Sequence, residues 1–342
     1  NLRVGIAGLG TVGSGLVKLL AAQEAIIRER CGLTISATAV CAKNRNRERE
    51  FDIKNFVWHD DVVSLAEDEN VDVVCELIGG IDGPALTVCE TALTLGKHVV
   101  TANKAMMAVH GQKLADLAEQ KGVSIHYEAA VAGGIPIVKA LREGLSGNNF
   151  YGVVGILNGT CNYILTSMHD AALEGESQDF GTVLKEAQKL GYAEADPSTD
   201  IDGIDAAHKL AILTSLAFGT VIDFESIHVE GIRHISSVDI EYAIELGYRV
   251  KLLAIARKSA NGVHQRVHPC MVRERATIAH VDGVNNAIVV QSDFAGTTTY
   301  EGPGAGANAT ASAVAGDLVD IARQHRTSTF SVPASDLKQP SR

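Results

Sequence analysis

The sequence has 342 residues, which predicts about two domains at roughly 150 residues each. It carries 30 Lys and Arg against 41 Asp and Glu, a net charge of −11 that disfavours nonspecific binding of nucleic acid or of an anionic membrane. The residues are 46% hydrophobic and 21% charged, which supports a packed core and excludes global disorder. No stretch approaches the roughly 18 apolar residues of a membrane-spanning helix, and no signal peptide is recognisable.

The six cysteines are scattered along the chain, and none forms a C-x-x-C pair. Cys41 and Cys75 lie in apolar runs, where a free cysteine behaves as a small hydrophobic residue. We therefore expect reduced thiols and a cytoplasmic protein, with neither a zinc site nor a disulfide framework.

The first 130 residues alternate short strand-like runs with helical stretches. Strands are predicted at Arg3–Ala7, Thr34–Cys41, Val71–Ile78, His98–Thr101 and Ser124–Tyr127. Helices are predicted at Val12–Ala22, Pro84–Leu95 and Gln112–Gln120. The strands are rich in β-branched residues and nearly continuous in apolar character, which is typical of parallel strands buried on both faces. This order predicts an α/β fold with a doubly wound parallel sheet.

The pattern changes after residue 135 and predicts a second, α+β domain. We predict a helix at Ile135–Leu145, a strand at Gly152–Leu157, a helix-rich segment to Gly219, strands at Val250–Ala256, Val263–Val272 and Ala287–Val290, and a helix at Asn308–Arg323. The predicted domains are therefore residues 1–135 and 136–323.

A glycine-rich turn joins the first predicted strand to the first helix. It reads Gly8-Leu9-Gly10-Thr11-Val12-Gly13, the G-x-G-x-x-G spacing in its strand–turn–helix context. The first glycine permits the tight turn, the second lets the backbone approach a pyrophosphate, and the third packs the helix on the strand. Free N–H groups at the helix start favour a phosphate there. The turn therefore predicts a dinucleotide site, formed by Gly8, Gly10, Thr11, Val12 and Gly13.

The end of the second predicted strand favours NADP, although NAD also remains open. An NAD enzyme usually places an acid there for the ribose hydroxyl, but this segment has none before Glu48. Lys43 and Arg45 instead offer positive charge to a 2′-phosphate. A solvated basic loop is the alternative interpretation.

Other candidates follow later strands, at the edge where parallel sheets bind ligands. Gly79 and Gly80 give backbone access beside the cofactor, and Thr101 ends the next strand. Lys104 follows closely and is a candidate catalytic residue, with an ordinary surface lysine as the alternative.

An acidic segment precedes the helix that carries Lys209. Its five carboxylates lie within twelve residues and are Glu194, Asp196, Asp200, Asp202 and Asp205. A calcium-binding EF-hand loop is excluded, because Lys209 stands where the bidentate glutamate is required. Asp202 is expected to cap the following helix.

Lys209 is predicted to project from the apolar face of its helix, one turn after Asp205. A buried ammonium is costly unless it is paired or functional. When hydride reduces an aldehyde, a positioned ammonium can stabilise the oxygen and donate the proton. Nearby carboxylates such as Asp200 can hold a substrate ammonium. A purely structural Asp205–Lys209 pair is the alternative.

At these residues the sequence resembles the homoserine dehydrogenase family. The motifs are GIAGLGTVGSG (5–15), ELIGG (76–80), TANKA (101–105), EAAVAGGIPI (128–137), GILNGTCNYIL (155–165), GYAEADPSTDIDGIDAAHKL (191–210) and YEGPGAG (300–306). They occur in the family's order and span almost the whole chain, and the 191–210 block is the most specific.

The resemblance implies reduction of L-aspartate 4-semialdehyde to L-homoserine with NAD(P)H, a step toward threonine, methionine and isoleucine. It implies that Lys209 is the proton donor, with Lys104 as a second lysine near substrate and nicotinamide. Glu194 would bind the substrate amino group, with Asp205 as the acid beside Lys209. Gly191 and Gly302 would lie beside cofactor and substrate.

The resemblance also implies a cation site and an architecture. Sodium or a similar ion would be held by main-chain carbonyls of Glu128, Val131, Gly133 and Ile135. The chain would form a Rossmann domain followed by a catalytic and dimerisation domain, and residues 324–342 would return to the Rossmann domain. The protein would assemble as a homodimer or homotetramer.

Two other functions stay open from the residues alone. A phosphorylating semialdehyde dehydrogenase needs a nucleophilic cysteine, for which Cys161 is the candidate. A dinucleotide-sensing protein would bind NADPH without oxidising it.

Overall fold

The computed structural model describes residues 1–339 and divides into two compact units. The first contains residues 1–146, 219–222 and 305–338, and the second contains residues 147–218, 223–304 and Gln339. The predicted domain boundaries differ from these units, since the prediction placed residues 136–146 and 305–323 in the second domain and the structure places them in the first unit. Residues 340–342 of the predicted returning segment lie outside the described residues.

The first unit is built on a parallel six-stranded sheet in the order β3-β2-β1-β4-β5-β6. Its strands are β1 (Leu2–Ala7), β2 (Ile35–Cys41), β3 (Val57–His59), β4 (Val73–Glu76), β5 (His98–Thr101) and β6 (Ile125–His126). This order is that of the doubly wound Rossmann fold, so the predicted fold of the first unit is confirmed. The short strand β3 was not predicted.

Helices connect these strands. They are α1 (Thr11–Ala22), α2 (Glu24–Cys31), α3 (Val62–Glu67), α4 (Pro84–Thr94), α5 (Lys104–Lys121), the short α6 (Ile137–Lys139) and, near the end of the chain, α12 (Ala307–Ala322). Helix α5 begins eight residues before the predicted start, because Asn103 follows β5 closely and its side chain accepts from the Met106 N–H. Residues Ala140–Gly144 continue α6 as a π-helix.

Helix α12 belongs to the first unit because it packs on α1 and the core of the parallel sheet. Val314 and Leu318 are fully buried in the same cluster as Val4 and Leu16. A Cβ added at Gly15 would lie 3.0 Å from the Ala307 carbonyl oxygen, so the two helices approach closely. This packing explains why the second domain predicted for residues 136–323 ends too late.

An ion pair between Arg3 and Asp72 ties β1 to the segment before β4. The Asp72 carboxylate accepts from Arg3 Nη2 at 2.6 Å, from Nε at 3.0 Å and from the backbone N–H at 2.9 Å. These hydrogen bonds from Arg3 hold the pKa of Asp72 below its usual value. The stabilisation is therefore present above the unfolded pKa and lost as pH falls through the folded one.

We expect Asp72→Asn to lower the free energy of unfolding by about 1 kcal/mol at neutral pH, a small value because the pair is partly exposed. The deficit should vanish on acidification, where Asp72 is protonated in both states. Urea unfolding of wild type and variant at a series of pH values checks this, and a deficit that persists in acid would contradict it.

The second unit contains a mixed sheet in the order β12-β11-β7-β9-β10-β8. Its strands are β7 (Phe150–Ile156), β8 (His228–Val229), β9 (Tyr248–Ser259), β10 (Gly262–Arg273), β11 (Asn285–Ser292) and β12 (Thr297–Pro303). Neighbouring strands are antiparallel except β10 and β8. The α+β prediction is confirmed, although β8 and β12 were not predicted.

Five helices accompany this sheet. They are α7 (Gly159–Leu173), α8 (Phe180–Lys189), α9 (Ser198–Ile201), α10 (Ile204–Phe218) and α11 (Ser237–Glu245). Helix α10 packs against β7, β9 and β10, and twelve of its fifteen residues are buried. A side chain on its inner face is therefore held among β-sheet residues.

All six cysteines lie within the described residues and are unpaired there, and Cys41, Cys75, Cys89 and Cys161 are buried. Within residues 1–339, the helices are either too short or too polar to cross a lipid bilayer.

Candidate active site

The glycine turn after β1 has the backbone geometry that a phosphate-binding turn requires. Gly8 has a φ of +103°, and a Cβ there would lie 2.5 Å from the Leu77 carbonyl oxygen. A Cβ on Gly13 would lie 1.9 Å from the Gly8 carbonyl oxygen. A Cβ on Gly10 would meet nothing within 4 Å. Gly8 and Gly13 are therefore required by packing, whereas Gly10 faces open space at the start of α1.

A cavity of about 540 Å³ lies beside this turn. Gly8, Gly10, Lys43 and Arg47 line it together with Arg49 and Leu77. The cavity thus combines the glycine turn with three basic side chains, which suit a phosphorylated dinucleotide, and Asp60 and Asp61 also line it.

The basic loop after β2 is organised by Arg49, which sequence analysis missed. Its guanidinium donates to the main-chain oxygens of Asn44, Arg45 and Arg47 at 2.7, 3.2 and 2.9 Å. The Arg45 guanidinium lies 5.6 Å from the centre of the Trp58 ring. Lys43 and Arg47 face the cavity, whereas Arg45 covers the indole.

Glu76 joins the ends of β4 and β5, and sequence analysis also missed this role. Its side chain is fully buried and accepts from Ile78 N at 2.8 Å, Gly79 N at 2.9 Å and Thr101 Oγ1 at 2.6 Å. Its position at the end of a buried strand was a usable signal, because a buried carboxylate must be hydrogen-bonded.

The loop with Gly79 and Gly80 is also fixed to the start of α5. Both glycines have left-handed φ values, +87° and +95°. Asn103 Nδ2 donates to the Gly80 carbonyl oxygen at 2.6 Å. Gly79, Gly80 and Thr101 therefore lie in one hydrogen-bonded network with Glu76 and Asn103. Lys104 is half-buried and is the first residue of α5.

Lys209 lies on the buried face of α10, as its helical position predicts. The residue is 8% exposed, and its Nζ donates to Asp205 Oδ2 and to the Leu157 carbonyl oxygen, both at 2.7 Å. The ammonium is thus held by one carboxylate and one backbone oxygen.

Asn158 is the N-cap residue of α7 and holds two of the predicted carboxylates. Its Nδ2 donates to Asp200 Oδ1 at 2.7 Å and to Asp205 Oδ2 at 2.9 Å, while its Oδ1 accepts from Cys161 N at 2.8 Å. Burial raises the pKa of Asp200 and the charge of Asp205 adds to this, against the hydrogen bond from Asn158. A single amide therefore brings Asp200 to the Asp205–Lys209 pair.

In the sequence analysis Asn158 appears only within the motif GILNGTCNYIL (155–165) and has no role of its own. The usable signal was the asparagine before a helix, since Asn is a strong N-cap residue. What the sequence could not indicate is that the same side chain also bonds carboxylates 42 and 47 residues further along the chain.

Cys161 lacks the environment of a nucleophile. The side chain is fully buried, and burial raises the pKa of the thiol. Its Sγ donates to the Asp200 carbonyl oxygen at 3.2 Å. A phosphorylating dehydrogenase needs an accessible thiolate in a positive environment, so this structure opposes that alternative.

The loop before α9 presents Glu194 to solvent. Gly191 has a φ of +78°, and the loop is held by hydrogen bonds from Thr160 Oγ1 to the Tyr192 oxygen and from Gln188 Nε2 to the Glu194 oxygen. The Glu194 side chain is exposed, unlike Asp200 and Asp205.

Three further positions, Asp202, Asp196 and Gly302, lie outside the hydrogen bonds described so far. Asp202 does not cap α10, which was wrongly expected; the residue follows α9, and its carboxylate is paired with Arg233. The exposed Asp196 accepts from Ser198 N at 3.1 Å. Gly302 lies in β12 opposite Asn286 of β11.

The loop from Glu128 to Ile135 carries the main-chain carbonyls at which the resemblance implies a cation. Ala132 and Gly133 have φ values of +56° and +48°, an unusual pair that turns the main chain within a buried segment. The Glu128 carboxylate accepts from Val138 N and Lys139 N, and the Glu128 main-chain oxygen accepts from Val131 N at 3.3 Å.

Two buried carboxylates lie together at this loop. Glu128 N donates to Asp317 Oδ2 at 2.9 Å, and burial raises the pKa of Glu128 to about 7 and that of Asp317 to about 8. Carbonyl oxygens are hard ligands that suit a hard cation, and a nearby positive charge would stabilise the ionised carboxylates.

Family models match both halves of the chain. Residues 8–128 match the model described as "Homoserine dehydrogenase, NAD binding domain", and residues 136–319 match the one described as "Homoserine dehydrogenase". Among curated proteins, the chain is 47% identical over 322 residues to a homoserine dehydrogenase of Neisseria gonorrhoeae, covering 94% of this chain and 72% of that protein. It is 41% identical to the Bacillus subtilis homoserine dehydrogenase, with 95% and 74% covered.

Solved structures give the same result. The fold matches a homoserine dehydrogenase from Thiobacillus denitrificans with a TM-score of 0.93 and 45% identity, covering 99% of this chain and 78% of that one. It also matches a hyperthermophilic archaeal homoserine dehydrogenase in complex with NADPH, with a TM-score of 0.81, 27% identity and 96% and 99% covered. The chain therefore belongs to the homoserine dehydrogenase family, oxidoreductases that act on CH–OH groups with NAD(P).

Proposed function

We propose that this protein reduces L-aspartate 4-semialdehyde to L-homoserine in the cytoplasm, with NADPH as the preferred reductant and NADH as a second one. The observation that carries the proposal is the buried Lys209 ammonium, held by Asp205 and the Leu157 carbonyl oxygen in the most family-specific segment of the chain. We also propose that the working form is a homodimer or homotetramer.

Bound NADPH supplies a hydride to the aldehyde carbon. As charge builds on the carbonyl oxygen, the Lys209 ammonium stabilises that oxygen and gives it the proton, which leaves a CH₂–OH group and a neutral amine. Because the Asp205 carboxylate favours the ammonium form of Lys209, the neutral amine then takes up a proton from solvent. Lys104 acts as a second positive group toward the substrate.

The acidic side chains recognise the amino group of the substrate. Glu194, exposed in its loop, and Asp200, held by Asn158, offer carboxylates to an ammonium. Gly191 and Gly302 leave room for close approach of ligand to backbone. Lys43 contributes charge toward a 2′-phosphate together with Arg47, which lines the same cavity, in place of the Arg45 expected from the sequence.

The test is an absorbance assay of NADPH oxidation by the purified chain with L-aspartate 4-semialdehyde. We expect oxidation that depends on the semialdehyde and NADP⁺ reduction when homoserine is supplied. Tight NADPH binding without oxidation would favour a dinucleotide-sensing protein instead.

We expect Asn158→Ala to lower kcat by about tenfold or more, because one charge-assisted hydrogen bond to Asp205 is worth roughly 1.5 kcal/mol. The measurement is kcat with saturating NADPH. Asn162→Ala is a matched control on the same helix, since that amide donates to the oxygens of Val281 and Asn285 and accepts from Lys251 Nζ but contacts no carboxylate. An equal effect of both variants would show that loss of α7 stability, rather than of carboxylate placement, is responsible.

The basic loop should set coenzyme preference. We expect Lys43→Ala and Arg47→Ala each to weaken NADPH use by about tenfold while NADH use changes little, because only NADPH carries the 2′-phosphate. Arg45→Ala is the control, since its guanidinium covers Trp58. The measurement is the ratio of kcat/KM with NADPH to kcat/KM with NADH for each variant. If Arg45→Ala lowers this ratio more than Lys43→Ala and Arg47→Ala do, Arg45 is the residue that binds the 2′-phosphate.

We also propose a monovalent cation such as Na⁺ on the main-chain carbonyls of Glu128, Val131, Gly133 and Ile135. It would fix the loop whose Ala132 and Gly133 take left-handed conformations. Melting temperatures in sodium chloride and in a salt of a bulky organic cation at equal ionic strength test it, and equal values would contradict it.

A further inference from the structure

We propose that His126, Asp317 and Asp320 form a binding site for one divalent transition-metal ion of the zinc type. The three residues are 1%, 1% and 7% exposed, and their ligand atoms all lie within 4.8 Å of one another. His126 Nδ1 and Asp317 Oδ1 are 3.8 Å apart, a separation that an ion bound to both at about 2.0–2.2 Å can span.

Two of these ligand atoms are buried polar atoms with no hydrogen-bond partner among the described residues. Among residues 1–339, neither His126 Nδ1 nor Asp317 Oδ1 is matched by a hydrogen-bonding group. Buried polar atoms are rarely left in this state, because the lost interaction with water is not replaced. The two atoms are 3.8 Å apart, so one cation bound between them would satisfy both.

The remaining atoms of the two side chains are already held. His126 Nε2 is 3.1 Å from Ser124 Oγ, and Asp317 Oδ2 accepts from Glu128 N at 2.9 Å. Metal-binding histidines characteristically use their second ring nitrogen in such a hydrogen bond, which fixes the ring for the metal. The site therefore has oriented ligands as well as a suitable ligand set.

Lys139 currently balances the charge of Asp320. Its Nζ forms an ion pair with the Asp320 carboxylate and lies 3.3 Å from the Gly316 carbonyl oxygen. The Lys139 side chain is 26% exposed and lines, with Asp320 and Gly316, an open cavity of about 840 Å³. This cavity gives an ion a path to Asp320 and gives the displaced ammonium a place in solvent. Metal and Lys139 thus compete for one carboxylate.

The site differs in chemistry from the carbonyl cage proposed for Na⁺. An imidazole nitrogen with two carboxylates favours Zn²⁺, Co²⁺ or Ni²⁺, whereas carbonyl oxygens alone favour hard cations. The new site also lies wholly in the first unit and uses none of the residues assigned to turnover.

The experiment titrates Co²⁺ into the chelator-treated full chain and follows visible absorption, with Zn²⁺ then added as competitor. We expect one Co²⁺ per chain, displacement by Zn²⁺, and a metal-dependent rise in melting temperature. His126→Gln should weaken Co²⁺ binding by about tenfold or more. His228→Gln, which changes an exposed histidine, should leave it unchanged.

The variant Lys139→Met should change Co²⁺ affinity in the direction opposite to His126→Gln. Removing the competing ammonium should tighten Co²⁺ binding, a result that impaired folding would not produce. The proposal is overturned if wild type gives no saturable Co²⁺ band, if His126→Gln binds as wild type does, or if Lys139→Met binds more weakly.

Discussion

Lys209→Met should lower kcat for semialdehyde reduction by about 10²–10⁴-fold, the range of a lost general acid. Lys209 Nζ lies 2.7 Å from both Asp205 Oδ2 and the Leu157 oxygen, so its charge and position are defined before substrate binds. Methionine keeps most of the side-chain volume but supplies neither charge nor proton. Because the glycine turn and the basic loop remain intact, the Kd for NADPH should change little.

Folding must be separated from catalysis in this experiment. Removing one partner of a buried ion pair leaves an uncompensated charge and destabilises by about 3–5 kcal/mol. The double variant Asp205→Asn with Lys209→Met removes both charges and should recover much of that stability, but not the turnover. Melting temperature, NADPH affinity and kcat of both variants decide between the roles, and recovered kcat in the double variant would contradict proton donation.

Gly10→Ala should lower NADPH affinity by about 10- to 100-fold, which corresponds to roughly 1.4–2.8 kcal/mol. Gly10 precedes α1, and a Cβ there meets no protein atom within 4 Å, so the fold should tolerate the change. The added methyl group would instead occupy space where a pyrophosphate approaches the backbone. The melting temperature without cofactor should therefore be close to that of wild type.

Two glycine variants serve as controls for this result. Gly13→Ala places a Cβ 1.9 Å from the Gly8 carbonyl oxygen and should lower stability as well as affinity. Gly144→Ala adds a Cβ with nothing within 4 Å and should change neither. Fluorescence titration with NADPH gives the affinities, and wild-type affinity in Gly10→Ala would mean that the dinucleotide does not pass this turn.

The parallel sheet was largely predictable, because buried strands such as β4 and β5 carry a continuous apolar signal. One edge strand of each sheet, β3 in the parallel sheet and β12 in the mixed sheet, was harder to predict. The strand β3 has only three residues, and β12 alternates exposed and half-buried positions rich in threonine, so neither offers a long apolar run. The assignment of α12 to the first unit also escaped prediction, since its contact with α1 joins residues nearly 300 positions apart.

For the site, the sequence indicated which residue types matter but not how they are held. The inward position of Lys209 followed from helical periodicity alone. The hydrogen bonds of Asn158 and Glu76 did not, because each side chain bonds groups brought near only by the tertiary fold. Likewise, Arg49 organises the cofactor loop through main-chain oxygens, an interaction that residue type does not reveal.

The most direct measurement is a single-turnover, stopped-flow record of NADPH oxidation by wild type and Lys209→Met, each saturated with NADPH and semialdehyde. We expect the rate of the chemical step to fall as far as kcat does, with the full amplitude of bound NADPH retained. An unchanged chemical rate, with the loss of turnover confined to binding or release, would contradict proton donation by Lys209.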